Sequence, residues 1–520
     1  MNRSEMLNRL DAETVWDIII IGGGATGLGA AVDAASRGYK TLLLERFDFA
    51  KGTSSRATKL VHGGVRYLAQ GNIKLVMEAL RERGLLLKNA PHLTRTQPFV
   101  LPSYSWRDKW FYGIGLKIYD LMSGKLSIGK TRLLSAKKTS GFLPAITAQY
   151  LSGGVLYYDG QFDDARLAVN LAQTAVEQGG VVINYMEVFD LKKENNKVTG
   201  VFVEDTLNGR EYELNGKAVI NATGVFTDDI LQMDNEENDN LVSPSQGIHF
   251  VVDKKFFPGD HALMIPKTDD GRVLFAVPWH NKVIIGTTDT AIQEPLFEPT
   301  PLAEEIEFIF RNINRYLTSG ITRKDIKTVY AGLRPLVKAA GQKSTALMPR
   351  DHTIIVAKSN LVTITGGKWT TYRKMAKDAI DNALFVSKLE RKTCVTETLH
   401  IHGFCEQPVN DEALHYYGSD AAGIKNLMEA DATLKEKLHP DFEYTKAQVI
   451  WAVRHEMAVT VEDILARRIR ILFLDAQAAI QTAPMIATLM ASEMGKDQQW
   501  IEKEINNFTA IAKGYLLPQQ

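Results

Sequence analysis

The sequence predicts an α/β protein: a parallel-sheet nucleotide-binding domain, interrupted by a β-rich substrate domain and closed by an all-α C-terminal cap. Three observations predict it. Residues 15–46 spell one strand, glycine turn, helix and second strand. Short β-branched runs recur from residue 154 to residue 366, and some of them end in small-residue turns. From Asp411 onward the Gly-rich loops stop and long amphipathic runs take over, at 446–457, 460–472 and 475–494.

The first unit reads VWDIIIIGGGATGLGAAVDAASRGYKTLLLER. The Asp17–Ile21 run is almost wholly apolar and β-branched, which suits a strand buried on both faces of a parallel sheet. Gly22, Gly24 and Gly27 follow at GxGxxG spacing, with Ala25 and Thr26 inside the turn. Ala30 to Arg37 favours helix, and Gly38 is placed to end it. Thr41–Leu44 is a second buried strand, closed by Glu45 and Arg46. Gly22 lets the chain leave the strand, Gly24 admits a pyrophosphate to the backbone, and Gly27 lets the helix sit close to the sheet. The helix N-terminus then offers free N–H groups to phosphates. Glu45 stands where a carboxylate grips ribose, which favours FAD or NAD over NADP. The unit is therefore of Rossmann type.

Composition narrows the class. A chain of 520 residues is long enough for two or three domains. Lys+Arg and Asp+Glu are equal at 61 each, which argues against a nucleic-acid partner. The two cysteines, Cys394 and Cys405, match no metal motif and form no disulfide framework, as suits a reducing compartment. Residues 1–14 lack the apolar core of a signal peptide, and no apolar run is long enough to span a bilayer. Membrane attachment would then be peripheral.

Six segments follow in order: nucleotide domain at 1–92, 153–245 and 331–390, substrate domain at 93–152 and 246–330, and helical cap at 391–520. After Glu45, the hydroxyl-rich Thr53-Ser54-Ser55 reads as a loop crossing the sheet edge. Lys59, His62, Gly63, Gly64, Arg66 and Tyr67 come within nine residues. They read as a loop against a cofactor ring with Arg66 and Tyr67 facing an anionic substrate, or more plainly as a basic loop with a Gly turn. Asn72 to Asn89 is an amphipathic helix. Trp106, Trp110, Phe111 and Tyr112 interleave with Arg107, Lys109, Lys117 and Lys125, which suits either an interfacial segment or an ordinary substrate-domain helix. Strands are expected at 181–188 and 198–205, the second pairing back as a hairpin. The strand ending in Ala222-Thr223-Gly224 returns the chain to the cofactor. Strands at 246–252, 262–266, 273–278 and 282–287 build the substrate sheet. A last strand runs into Gly366-Gly367, and a helix opens with Thr370-Thr371, placing Lys368 toward the ring.

Two stretches, IGGGATGLGAAVDAASRG at 21–38 and GGKWTTYRKMA at 366–376, resemble the FAD-dependent, quinone-linked glycerol-3-phosphate dehydrogenases, within the wider D-amino-acid-oxidase-like flavoproteins. TKLVHGGVRYL at 58–68 and AGLRPL at 331–336 strengthen the likeness, which runs from about Val15 to the C-terminus. Leu28 departs from it, since the family usually has a small residue there, and puts only local packing in question. The resemblance implies bound FAD and oxidation of sn-glycerol 3-phosphate to dihydroxyacetone phosphate by hydride transfer from C2 to flavin N5. It also implies reoxidation by a membrane quinone and a peripheral place on the cytoplasmic face of the inner membrane; the oligomeric state stays open, a homodimer being one option. By the same resemblance the first motif and Glu45 hold the ADP half. Ser54, Ser55 and Lys59–Gly64 lie along the flavin. Arg66, Tyr67, Arg334, Arg350 and Lys368 line the substrate site. His249 matches a family histidine near the reacting hydroxyl.

The chemistry agrees with these roles. A phosphate dianion in a dry site needs several cations, and arginine's fork suits it best. A cation at the flavin N1–C2=O edge stabilises the reduced ring, a task for Lys368. His249 is the candidate proton acceptor by side-chain type, with Arg334 orienting or polarising the alkoxide. Two alternatives stand beside this reading. One is an amine or amino-acid oxidase of the same fold, for which so many cations are excessive. The other is a non-catalytic flavin-bound redox protein whose cap is the functional surface.

Overall fold

The computed structural model describes residues 1–517 except 70, 239, 339–350 and 412, and only the backbone of residues 66 and 69. Two sheets carry the molecule. The first runs His352–Val356, Val362–Gly366, Arg210–Asn221, Val15–Ile21, Thr41–Leu44, Val181–Ile183. Of the five pairings in this order four are parallel, and the one at the His352–Val356 edge is antiparallel. Val15–Ile21 lies between Arg210–Asn221 and Thr41–Leu44, so Ile18, Ile19 and Ile20 are fully buried, which explains the unbroken apolar run. Parallel strands end at one edge of a sheet. The chain therefore leaves Ile21, Leu44, Asn221 and Gly366 along a single line, where ligands of open α/β sheets bind.

The second sheet runs Thr290–Ala291, Val242–Asp253, Lys282–Gly286, Leu274–Trp279, Ala262–Ile265, Thr94–Ser103, Gly153–Phe162, Leu60–Val61. Ile326–Val337 pairs antiparallel with Val242–Asp253 over nearly its whole length, from Val242 opposite Val337 to Val252 opposite Ile326. This pairing corrects three expected boundaries. Gly153–Phe162 belongs to the substrate sheet, paired with Thr94–Ser103, and not to the nucleotide domain. Val242–Asp253 and Ile326–Val337 run through the boundaries placed at 245/246 and 330/331. Pro244 faces Pro335 and Gly247 faces Gly332 in these strands, and such residues mimic strand ends when read without their partners. The expected strand at 181–188 also breaks in two at Tyr185, whose φ is +58°.

The cap holds helices Lys446–His455, Ala476–Met494 and Gln498–Lys513. The run at 460–472 is not one α-helix: Asp463–Arg468 is π-helical and Arg470 follows at φ +64°. That departure aims successive arginines inward. Arg467 and Arg468 both bind the buried Asp48 of the nucleotide domain, and Arg166 pairs with Glu456 at 2.8 Å. Burial pushes the Asp48 carboxyl up, but Arg468 and Arg467 outweigh it and hold its pKa down at about 2. Breaking one such buried pair costs about 3–5 kcal/mol, so the cap is locked to the sheet it covers.

Candidate active site

Two cavities meet behind the strand ends. The first, about 240 Å³, is lined by Gly22, Gly24, Ala25, Thr26, Glu45, Arg46, Thr53, Ser54, Ala222, Thr223 and Gly224. The second, about 310 Å³, is lined by Thr58, His62, Gly64, Tyr67, His249, Arg272, Arg334 and Thr370. Gly366, Gly367, Lys368, Trp369, Thr53 and Pro335 line both. A long ligand lying in the first cavity therefore presents its end to the second.

The first cavity is made chiefly of backbone. Gly22 sits at φ +109°, and a Cβ there would stand 2.8 Å from the Ala222 carbonyl oxygen. Gly24 caps helix Ala25–Ser36, whose Ala25 N–H donates to Ser54 Oγ at 2.9 Å. Glu45 accepts from Gly23 N at 2.6 Å and from Phe47 N at 2.9 Å. Burial pushes its carboxyl pKa up against those two bonds. A carboxylate fixed this way keeps lone pairs for a sugar hydroxyl. At the far end Phe226 stacks on Phe297 with centroids 3.9 Å apart, and Arg46 lies 5.3 Å over the Phe297 ring. Glycine approaches on two strands, a helix N-terminus and a carboxylate one strand away form a donor set that fits FAD.

The second cavity is made of side chains. His249 and Arg334 lie on neighbouring strands in one register: Ser245 opposes Arg334, Gly247 opposes Gly332, and His249 opposes Tyr330. Positions two and four apart share a face, so both side chains rise from the same side. Gly247 leaves the room between them, since a Cβ there would overlap the Arg334 guanidinium. Arg334 donates to Thr287 Oγ1 at 3.0 Å and to the Thr288 carbonyl at 2.9 Å, and lies 3.4 Å from Asp289. Arg272 donates to the Asp289 carbonyl at 2.7 Å. The His249 ring stacks on Tyr330, centroids 4.8 Å apart, with Nε2 2.8 Å from Thr58 Oγ1. Burial, then the charges of Arg334 and Lys59, hold its imidazole well below the ordinary value, so it is neutral and able to accept a proton. Lys368 Nζ lies 3.7 Å from the centre of the Tyr67 ring.

Comparison with known proteins bears directly on this arrangement. Residues 17–373 match the FAD dependent oxidoreductase family, and residues 358–501 match the C-terminal domain of alpha-glycerophosphate oxidase. The chain is 37% identical to the mitochondrial glycerol-3-phosphate dehydrogenase of Mesocricetus auratus, over 96% of this chain and 73% of that protein. It is 38% identical to that of Homo sapiens, over 95% and 73%. The chain belongs to the FAD-dependent glycerol-3-phosphate dehydrogenase family. The crystal structure of the glycerol-3-phosphate dehydrogenase from Bacillus halodurans complexed with FAD matches with a TM-score of 0.81 at 28% identity, over 100% of this chain and 98% of that one.

Most of the expected cofactor residues reach the first cavity or the shared wall. Ser55, Lys59, Gly63 and Gly27 do not line either cavity. Lys59 is fully buried behind the wall, bound to Asp164 at 2.7 Å and to the Ser55 carbonyl at 2.7 Å. Burial and the neighbouring Arg470 charge pull its pKa down to about 7 against the pull of Asp164. Gly63 N–H donates to Tyr119 Oη at 2.7 Å. The Arg66 side chain and Arg350 lie outside the described residues. Sequence reasoning missed Thr58, Arg272, Gly247 and Trp369, whose Nε1–H donates to the Ser54 carbonyl at 2.8 Å.

Proposed function

We propose that this chain oxidises sn-glycerol 3-phosphate to dihydroxyacetone phosphate with FAD as the bound acceptor, and that a membrane quinone takes the electrons onward. One observation carries the reading. Arg272, Arg334, Lys368 and a neutral His249 converge on a cavity that opens into the dinucleotide channel.

FAD, when bound in the channel, supplies the acceptor for a hydride from the substrate's C2. The chain's own groups do the rest. Arg334 and Arg272 bind the phosphate dianion, Arg334 held in place by Thr287 and Thr288 and Arg272 by the Asp289 carbonyl. With Nε2 held by Thr58 Oγ1 and the ring stacked on Tyr330, His249 takes the hydroxyl proton at Nδ1, which has no other hydrogen-bond partner among the described residues, as the hydride leaves. Lys368 places positive charge at the junction where electron density arrives, and the Tyr67 ring beneath it supports that cation. One wall of the second cavity is apolar, made of Leu60, Phe99, Tyr157, Met264, Val273 and Phe275. Such a wall exceeds what glycerol phosphate requires, and it suits a quinone ring.

We place the enzyme peripherally on the cytoplasmic face of the inner membrane. Two free, half-buried cysteines fit a reducing side. Among the described residues no helix is long and apolar enough to cross a membrane. The test offers glycerol 3-phosphate, glycerol, glycine and D-amino acids to the purified holoprotein. Glycerol 3-phosphate alone should support turnover, faster with a short-chain quinone than with oxygen. Turnover with an amino acid instead would overturn the substrate, and oxygen outpacing the quinone would overturn the acceptor.

A further inference from the structure

The cap meets the rest of the chain through several buried arginines, and one of them differs in what it holds. Arg467 and Arg468 grip Asp48. Arg470 reaches instead into the segment that carries Thr58. Its guanidinium donates to the Ser55 carbonyl at 2.9 Å and to Asp164 Oδ1 at 2.9 Å. Asp164 Oδ2 accepts from Ala57 N at 3.0 Å and from Lys59 Nζ at 2.7 Å. Lys59 Nζ also donates to the Ser55 carbonyl at 2.7 Å, and Tyr330 Oη donates to the Ala57 carbonyl at 3.1 Å. Residues 55, 57 and 59 are thus each tied down. Between the last two stands Thr58, whose Oγ1 lies 2.8 Å from His249 Nε2.

This cluster is more elaborate than joining a cap to a sheet requires. Lys59, Asp164 and Arg470 are at most 1% exposed, and burying charges is costly even when they are paired. Both cations stand at left-handed backbone angles, φ +63° at Lys59 and +64° at Arg470, which residues with a side chain rarely adopt. The π-helical turn Asp463–Arg468 precedes the second of them. Such turns and backbone outliers concentrate at functional sites. Trp279, Tyr330 and Phe473 surround the Lys59 ammonium, with ring centres 5.1–5.5 Å from Nζ. The Tyr330 ring is the one on which His249 stacks.

For Nδ1 to take the substrate's proton, Nε2 must carry the ring's own hydrogen, and Thr58 Oγ1 must stand where it accepts that hydrogen. We propose that Arg470 of the cap, acting through Asp164 and Lys59, positions Thr58 so that it fixes the tautomer and orientation of His249. The three are positioning residues, since none of them lines either cavity. The proposal rests on the reading of His249 as proton acceptor and deepens it: the cap takes part in the chemistry as well as in the fold.

The experiment is a double-mutant cycle on the holoprotein, read by anaerobic reduction of the flavin with saturating glycerol 3-phosphate. Thr58→Val removes the acceptor, and Arg470→Lys keeps the charge but loses the fork. Each should slow reduction by at least about tenfold, with flavin content unchanged. The half-saturating substrate concentration should stay within about twofold of wild type. The double variant should be no more than about twofold slower than Thr58→Val alone, because both changes act through one hydrogen bond. Thr58→Ser, which restores the hydroxyl, should recover most of the rate. Losses that multiply to about a hundredfold in the double variant would overturn the proposal, as would a wild-type rate in Arg470→Lys. Asp164→Asn takes the place of Arg470→Lys if that variant fails to bind flavin, and is read the same way. Hydrogen exchange of residues 55–61, followed by mass spectrometry, needs no substrate and should quicken in Arg470→Lys. A wild type that glycerol 3-phosphate does not reduce would sink the substrate reading, and the exchange would then decide the clamp: quickened exchange upholds the grip on Thr58, and unchanged exchange overturns it.

Discussion

The dinucleotide channel and the substrate cavity share one wall but are built on opposite principles. The channel is backbone: Gly22 to Thr26, Ala222 to Gly224 and Gly366-Gly367 each bring main chain to the ligand at the end of a parallel strand. The cavity is side chain: Thr58, His249, Arg272 and Arg334 come from four separate segments, and antiparallel pairing in one register brings His249 and Arg334 to the same face. A backbone site depends on the absence of atoms, so it is sensitive to any addition. A side-chain site depends on individual charges, so it loses function by deletion without losing its shape. Substitutions in the two regions should therefore fail in different ways.

The largest effect is expected at Gly22→Val. It forces a branched side chain to φ +109° and against the Ala222 carbonyl, with about 1–3 kcal/mol of backbone strain before the overlap is counted. The purified protein should carry no flavin absorbance. A yellow Gly22→Val protein would show that the channel is not backbone-limited.

His249→Asn comes next. The rate should fall by about 10²–10⁴, with flavin content unchanged. The imidazole pKa is lowered well below 6.5, so the wild-type rate should fall only on the acid side of that value, as the ring protonates. The variant's residual rate should lose that acid limb. An identical pH profile would remove His249 from the proton path.

Arg272→Ala is expected to raise the KM for glycerol 3-phosphate by about 10–100-fold, the worth of one charge-assisted hydrogen-bond partner of 1.5–3 kcal/mol. Flavin content and Tm should not move. A loss of either, with KM unchanged, would mean that Arg272 only supports the fold.

The smallest effect concerns the cap, away from both cavities. Burial opposes a charge on His402, but Asp420 at 2.9 Å and Glu177 at 2.5 Å raise its pKa to about 9. A folded pKa raised above the unfolded value of 6.5 stabilises fully below pH 6.5, and that stability is lost as pH climbs through 9. The Tm gap between wild type and His402→Asn should thus be widest near pH 6 and close by pH 9.5. A gap independent of pH would refute the assignment.

The same contrast explains what could be read from the chain before its fold was known. Backbone sites announce themselves, because glycines at fixed spacing after a β-branched run are needed locally; Gly22, Gly24, Gly366 and Gly367 all line the channel. Side-chain sites do not. Arg272 sits in a DDGR turn that resembles any solvated turn, and only strand pairing carries it to Asp289. Lys59 stands in a basic loop that reads as facing a ligand. Its partner Asp164 is 105 residues away and looks, in sequence, like a helix-opening acid. The domain boundaries erred for a related reason: prolines and glycines inside Val242–Asp253 and Ile326–Val337 signal breaks that the ladder bridges. Arg334 and His249 were accessible through family resemblance, and the Ser245–Arg334 register is what places them on one face.

The central claim is that the cations of the second cavity present glycerol 3-phosphate to the cofactor held in the first. Anaerobic stopped-flow reduction of the flavin by glycerol 3-phosphate, in wild type and Arg334→Ala, tests it most directly. The wild type should bleach rapidly, and Arg334→Ala, with the same flavin content, should bleach at least about 10²-fold more slowly. Equal rates in the two proteins, or a wild type that stays yellow, would contradict it.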